Sequence, residues 1–388
     1  MFSSEFNKLI KYCEKNEFKG WDPYDGLNSK IFKAFGLDGV RLFRLAWIQL
    51  FKRNPFNFRK IALISKGYNP KGLSLFLTGY CNLYHDNPKE EYLEKINFLS
   101  NKLLTLVTPG YSGACWGYNF DWQSRAFFLP KSTPTIVATS FISYALMDAY
   151  EITKEKKFLD AAISSTNFII NDLNRTPKRE GFIFSYSPLD DTCVYNASLL
   201  GSRLLSRVYS YTKNPELISL AEESVRACAN TQREDGSWVY GELSMQGWVD
   251  SFHTGYNLEC IAEYQKYSGD NSFHIHIEKG LSYYLNNFFL ADGTPKYYNN
   301  KTYPIDVHAP AQLIATLSRL DVLEENKELA NNVLKWTISN MQDSKQGYFY
   351  YQLKKGFSSK IPYMRWAQAW MYKAINHYLF KKYKFDPR

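Results

Sequence analysis

Two short stretches hold residues able to move protons. Asp250 and His253 stand three apart in Trp248-Val249-Asp250-Ser251-Phe252-His253, and Asp306 and His308 stand two apart in Tyr303-Pro304-Ile305-Asp306-Val307-His308. Imidazole titrates near neutral pH, and a neighbouring carboxylate holds one ring tautomer and steadies the ring when charged. Two such rings facing one another across a sugar would take a proton from one face of a carbon and return it to the other. That is the chemistry of an epimerase or isomerase. The plainer alternative makes Asp250 and Asp306 helix N-caps and leaves both histidines bonding loop backbone; the residues alone leave both open. His85, His274, His276 and His377 fall in short turns or helices, where a solvated or structural role is expected.

A second chemistry is available to the acidic residues. Asp121, Asp190, Asp191, Asp250 and Asp306 all lie in loops or at loop–helix junctions, and glycoside hydrolysis or elimination needs two carboxylates at a set separation. Sequence does not choose a pair, and Asp22 and Asp25 read equally as turn residues around Pro23 and Gly26. Around these groups, Trp116, Trp122, Trp238, Tyr240, Trp248, Tyr256 and Trp366 supply flat faces for a sugar ring, and Tyr195 is a further candidate substrate contact. Asn119, Gln123, Asn196, Asn257 and Gln312 supply hydroxyl partners, and Arg125, Arg365 and Lys71 can clamp an anionic group. For any single aromatic ring, core packing is the simpler reading; their concentration in loops carries the set. No ligand spacing for a metal ion appears, nor a Gly-rich phosphate loop, a dinucleotide fingerprint or a G-x-S-x-G elbow. Neither a metal nor a cofactor is expected.

These residues need elements to converge them. Apolar periodicity predicts helical hairpins at Leu73–Tyr84 with Tyr92–Leu106, Thr135–Tyr150 with Phe158–Leu173, and Ala197–Thr212 with Pro215–Gln232. Two more follow at Asp250–Ser268 with Phe273–Phe289 and Asp306–Leu320 with Lys327–Gln342, then a last helix after Arg365-Trp366. Gly181, Gly236, Gly293 and Gly347 each open a turn followed by aromatics, recurring roughly every 55 residues. Each unit is helix, short charged turn, helix, long polar-aromatic loop. Long loops on one side favour a closed ring over an open solenoid, because they would crowd at the ring's mouth. The expected fold is all-α, an (α/α)6 toroid of about six hairpins forming one domain over residues 1–388. Residues 1–70 are expected as a basic-aromatic helical segment that completes or flanks the ring.

With the units in view, a resemblance emerges. Gln232-x-x-Asp-Gly236-Ser-Trp238, Asp250-Ser-Phe-His253-Thr-Gly and Tyr303-Pro-Ile-Asp306-Val-His308 resemble the six-hairpin-glycosidase-type toroid proteins, and more narrowly toroid proteins of polysaccharide-biosynthesis loci. The likeness runs from Trp21-Asp-Pro-Tyr-Asp25 to Arg365-Trp366. It implies a sugar or glycan substrate, with epimerases, uronyl hydrolases and polysaccharide lyases among the related folds. Gln232-x-x-x-Gly236-x-Trp238 is also similar to the QW element of terpene cyclases, but their D-x-D-D-type acidic motif is missing.

Charge and cysteine usage bound the setting. The net charge of +9 favours an acidic partner, with basic residues clustered at Arg41, Arg44, Lys52, Arg53, Arg59 and Lys60 among Phe43, Trp47, Phe51, Phe56 and Phe58. This alternation suits an anionic membrane surface or a lipid-linked intermediate better than nucleic acid, for which no motif is present. Six dispersed cysteines, no apolar run of membrane-spanning length and no leader pattern predict a cytoplasmic protein; the basic segment reads first as an ordinary solvated helix face, with membrane association as the alternative. A non-catalytic glycan-binding scaffold is the alternative from another class.

Overall fold

The computed structural model describes residues 2–380. Helices α1 (Ser3–Lys15), α2 (Lys30–Ala34) and α3 (Arg41–Arg53) precede five hairpins. These are α4 (Pro70–Asp86) with α5 (Glu90–Leu104), α6 (Ile136–Thr153) with α7 (Lys156–Asn171), α8 (Tyr195–Thr212) with α9 (Pro215–Ala229), α10 (Ser251–Ser268) with α11 (His274–Phe288), and α12 (His308–Arg319) with α13 (Lys327–Met341). Helix α14 (Trp370–Leu379) follows a π-helical turn over Met364–Ala369. Local chemistry sets several helix starts. Asn69 and Thr135 cap α4 and α6 by accepting from Gly72 N and Ala138 N, and Pro70 and Pro215 occupy first-turn positions where no amide is needed.

The even-numbered helices α4, α6, α8, α10, α12 and α14 form an inner ring. Each packs on the next, and α14 packs back on α4. Inner helices are buried nearly all round, so α6 is apolar or small on nearly every face, while α10 mixes apolar side chains with buried Asn257, Glu259, Glu263 and Gln265 rather than showing one stripe. Helices α5, α7, α9, α11 and α13 back their own hairpin partners, and α1 backs α14, so the first and last helices make the sixth hairpin. The architecture is therefore the expected (α/α)6 toroid. Below its mouth the axis is plugged by buried ion pairs: Arg207–Asp148 at 2.7 Å and Arg319–Glu263 at 3.0 Å, with Arg203 3.8 Å above the Tyr144 ring.

The repeating glycines explain the period. Gly181, Gly236, Gly293 and Gly347 have φ of 88°, 90°, 87° and 82°, in the left-handed region. A Cβ on them would lie 2.1–2.6 Å from backbone oxygen of Glu223, Lys279, Asn332 and Lys8, on α9, α11, α13 and α1 respectively. Each loop thus turns tightly against the next outer helix, and only glycine meets both demands. The loops also form small antiparallel ladders at the mouth, β1 (Trp122–Gln123) with β2 (Phe128–Leu129), β3 (Arg175–Pro177) with β4 (Phe182–Phe184), and β5 (Ile305–Asp306) with β6 (Gln352–Lys354) and β7 (Phe357–Ser359). Residues 16–69, holding α2 and α3, sit beside that mouth.

Candidate active site

The loops enclose a cavity of about 670 Å³ at the ring's mouth, large enough for a sugar with part of an aglycone. Its wall carries one tyrosine from each repeat: Tyr24, Tyr118, Tyr186, Tyr240, Tyr297 and Tyr351. Each stands four or five residues after a glycine, at Gly20, Gly113, Gly181, Gly236, Gly293 and Gly347. Burial holds the Tyr118, Tyr186, Tyr297 and Tyr351 phenols above their ordinary pKa, so they remain neutral hydroxyls able both to donate and to accept.

Both histidines line this cavity. At the start of α10, Asp250 receives the His253 amide on Oδ1 at 3.0 Å and the Trp248 indole N–H on Oδ2 at 2.8 Å. Its Oδ2 also lies 2.7 Å from His253 Nδ1. The carboxylate is thus both N-cap and imidazole partner, and with Nδ1 so held, Nε2 is the free ring atom. His308 is wired differently. Asp306 receives its backbone N–H at 3.0 Å but does not touch its ring; the Asp306 oxygens instead accept Trp366 Nε1 at 2.8 Å and Gln352 Nε2 at 2.6 Å. The Tyr256 hydroxyl lies 3.0 Å from His308 Nε2. Burial, then the cations Lys71 and Arg365, hold His308 well below the usual imidazole pKa, so this ring is neutral. Phe252 bridges the two imidazoles, 4.1 Å from the His253 ring and stacked 4.4 Å from that of His308. Burial pushes the Asp306 carboxyl up to about 6.

Two buried cations complete the wall. Arg365, presented by the π-helical turn, forms a two-pronged pair with Asp22 at 2.6 and 2.8 Å, while Asp25 pairs with Arg59 at 2.7 Å. Lys71, in the first turn of α4, lies among Phe141, Tyr256 and Trp370 at 4.2, 5.3 and 5.7 Å from their ring centres. It forms no ion pair among the described residues, and burial, with Arg365 and Lys373 nearby, lowers its pKa well below that of an ordinary lysine.

The remaining sequence candidates divide. Trp122, Gln123, Arg125, Asn196, Tyr240, Tyr256, Arg365 and Trp366 line the cavity. Trp116, Asn119, Tyr195, Trp238, Asn257 and Gln312 do not, for physical reasons that are visible in several cases. The indoles of Trp116 and Trp238 are buried between hairpins, donating to the carbonyls of Leu103 at 2.8 Å and Cys228 at 3.2 Å. Gln312 turns into the ring axis, donating to Glu259 at 2.5 Å, and Asn119 braces Asn69 at 2.9 Å. Asp121 also lies off the wall, held by Lys33 at 2.7 Å and the Lys131 amide at 2.7 Å. Tyr24, Tyr118, Tyr186, Tyr297 and Tyr351 are wall residues that the sequence reading does not single out. Aligning the loops on their glycines would have found them.

No protein-family model matches the sequence, and no curated protein matches it. Solved structures do. A cellobiose 2-epimerase from Bacillus thermoamylovorans B4167 superposes with a TM-score of 0.65 at 13% identity, covering 96% of this chain and 98% of that one. The fold is that of the six-hairpin toroids. A GH76 alpha-mannanase from Bacteroides thetaiotaomicron matches with a TM-score of 0.63 at 14% identity over 82% of this chain and 88% of that one. An unsaturated glucuronyl hydrolase specific for heparin matches with 0.59 at 16% over 81% and 87%. At such identities the architecture is shared and the reaction is a matter for the residues in the cavity.

Proposed function

We propose that this protein is a carbohydrate-active enzyme whose reaction is epimerisation or isomerisation of an acidic or lipid-linked sugar in polysaccharide synthesis. The observation that carries this reading is the pair of unlike imidazoles on one tyrosine-ringed cavity. His308, neutral, serves as the base that takes a proton from a carbon next to the sugar carbonyl and becomes imidazolium, its ring oriented by the 3.0 Å contact between Nε2 and the Tyr256 hydroxyl. His253 delivers a proton to the opposite face from Nε2, with Asp250 stabilising the imidazolium that forms in the reverse direction. No net oxidation occurs and the protein ends in the mirror protonation state. Lys71, which pairs with no carboxylate among the described residues and whose proton burial makes easy to lose, donates to the developing enediolate oxygen or takes up its full charge against a substrate carboxylate. Arg365 is already neutralised by Asp22 and acts as a rigid wall and donor. Asp306 is a positioning residue, fixing Trp366 and the first turn of α12.

The reading is tested by incubating the protein with uronates, reducing disaccharides and lipid-linked sugars and following the sugar signals by NMR. A new epimer or ketose supports it. Release of a monosaccharide from a glycoside, or an unsaturated product, assigns the cavity to hydrolysis or elimination instead.

A further inference from the structure

Residues 29–66 hold nine lysines and arginines against one acidic residue, Asp38, so this segment supplies eight of the nine net positive charges of the chain. Among these nine, Lys33 pairs with Asp121 and Arg59 with Asp25; the other seven form no ion pair among the described residues. The same segment carries an unusual load of apolar side chains in water. Phe35, Leu42, Phe56 and Ile61 are 75%, 70%, 70% and 72% exposed, and nine of the seventeen exposed large hydrophobic side chains among the described residues fall between Phe35 and Leu63. The surface continues onto the β6–β7 hairpin, where Phe357 is exposed and Lys354 Nζ donates to the Arg53 carbonyl at 2.9 Å. Ile48, Gln49 and Lys52 of α3 are themselves part of the cavity wall. Isolated exposed apolar side chains mean little, but this concentration in one segment beside the cavity mouth marks a docking surface.

We propose that residues 30–64 dock on an anionic lipid bilayer, with the cavity mouth held at its surface. Charge decides against a second copy of the chain: a two-fold contact would set this cationic face against itself. Nucleic acid would neutralise the cations and leave Phe35, Leu42 and Ile61 in water. A bilayer satisfies both sets of groups, taking phenyl and aliphatic side chains into the headgroup–acyl boundary while lysine and arginine meet anionic headgroups. No helix of the described residues is long and apolar enough to cross a membrane, so the contact lies in the interface plane. That the substrate is then the lipid-linked member of the class rests on the proposed function; the docking itself does not.

The test is cosedimentation of the full-length protein with phosphatidylglycerol–phosphatidylcholine vesicles and with pure phosphatidylcholine vesicles, at low and high salt. Its oligomeric state is measured in parallel. Salt-sensitive binding to the anionic vesicles is expected, weakened by about tenfold or more in Lys30→Glu/Lys60→Glu and lost in Phe35→Ser/Leu42→Ser/Ile61→Ser, with far-UV circular dichroism unchanged. The charge variant changes only exposed side chains, so it remains informative should the apolar variant fold poorly. Folded wild-type protein that ignores anionic vesicles overturns the proposal. So does a wild-type dimer that the apolar variant converts to monomer, since the surface would then belong to a second copy. Binding that is unaltered in both variants equally removes residues 30–64 from the contact.

Discussion

His253 and His308 differ in what holds them, and under the proposed chemistry that difference governs what each does with a proton. Asp250 binds the His253 ring directly, so Asp250→Asn should leave the α10 cap in place, because the amide oxygen still accepts the His253 N–H, yet cost the imidazolium its counter-charge. Under the proposed chemistry, single changes of His253 or His308 to Asn lower kcat by about 10²–10⁴ while thermal unfolding stays near the wild-type midpoint; steady-state kinetics and melting curves check both halves. Lys71→Met should raise KM for an acidic sugar far more than for a neutral analogue, read from paired kinetics. Asp306 makes a pH prediction. Its carboxyl is raised to about 6 in the folded protein against about 3.9 in an unfolded chain, so between these values the folded state binds more protons. Its contribution to stability is thus full below the lower value and falls as pH rises through 6, by about 3 kcal/mol when complete. Urea unfolding from pH 4 to 7.5 should show a flatter profile in Asp306→Asn than in wild type; an identical slope would remove Asp306 from that pH dependence.

At the scale of elements, the glycine turns are the repeated joint. Gly236 has φ of 90° and would place a Cβ 2.4 Å from the Lys279 carbonyl oxygen. Gly236→Ala therefore meets both backbone strain and a clash with α11, and should cost about 2–4 kcal/mol with a proportionate fall in urea midpoint. Gly110→Ala is the control, since φ is 88° but nothing lies within 4 Å; it should cost only the strain. The turns were legible in sequence because glycine followed by aromatics is a backbone requirement written directly in residue type. Which aromatic of each loop reaches the cavity was less legible. Trp116 and Trp238 look like sugar platforms, but an indole N–H buried beside an outer helix finds a free carbonyl there, and the core takes it. The tyrosine farther along each loop stays at the mouth, where Tyr118 reaches the Tyr186 hydroxyl at 3.3 Å and Tyr240 stacks 4.7 Å from Trp248. That outcome depends on loop geometry, which no periodicity reports.

At the scale of the whole molecule, closure is what brings distant segments to one cavity. Asp22 and Arg365 lie 343 positions apart and are joined by a two-pronged pair; Phe6 of α1 packs 5.3 Å from Tyr372 of α14. Truncating Phe6 to Ala should cost about 3–5 kcal/mol and loosen the sixth hairpin, with hydrogen exchange rising first in α1 and α14. Uniform protection across the ring in that variant would contradict the closing role of α1. A closed ring was readable from the alternation of short turns and long loops. The distinct wiring of the two histidines was not, because Asp-x-x-His and Asp-x-His look alike as motifs. Three residues separate groups on one helical turn, whereas Asp306 sits in β5 before the helix begins and turns its oxygens to Trp366 and Gln352.

The proposed catalysis is carbon–proton exchange by two histidines, and the direct measurement is deuterium incorporation from D2O at sugar carbons, resolved by NMR position by position. With an accepted sugar, wild-type protein should place deuterium at a single carbon beside the carbonyl, in both epimers or in the isomer pair. Folded His253→Asn and His308→Asn should each lose conversion, and one of them should keep exchange on a single face. Conversion without deuterium at that carbon, or with the wild-type pattern in both variants, would contradict the account.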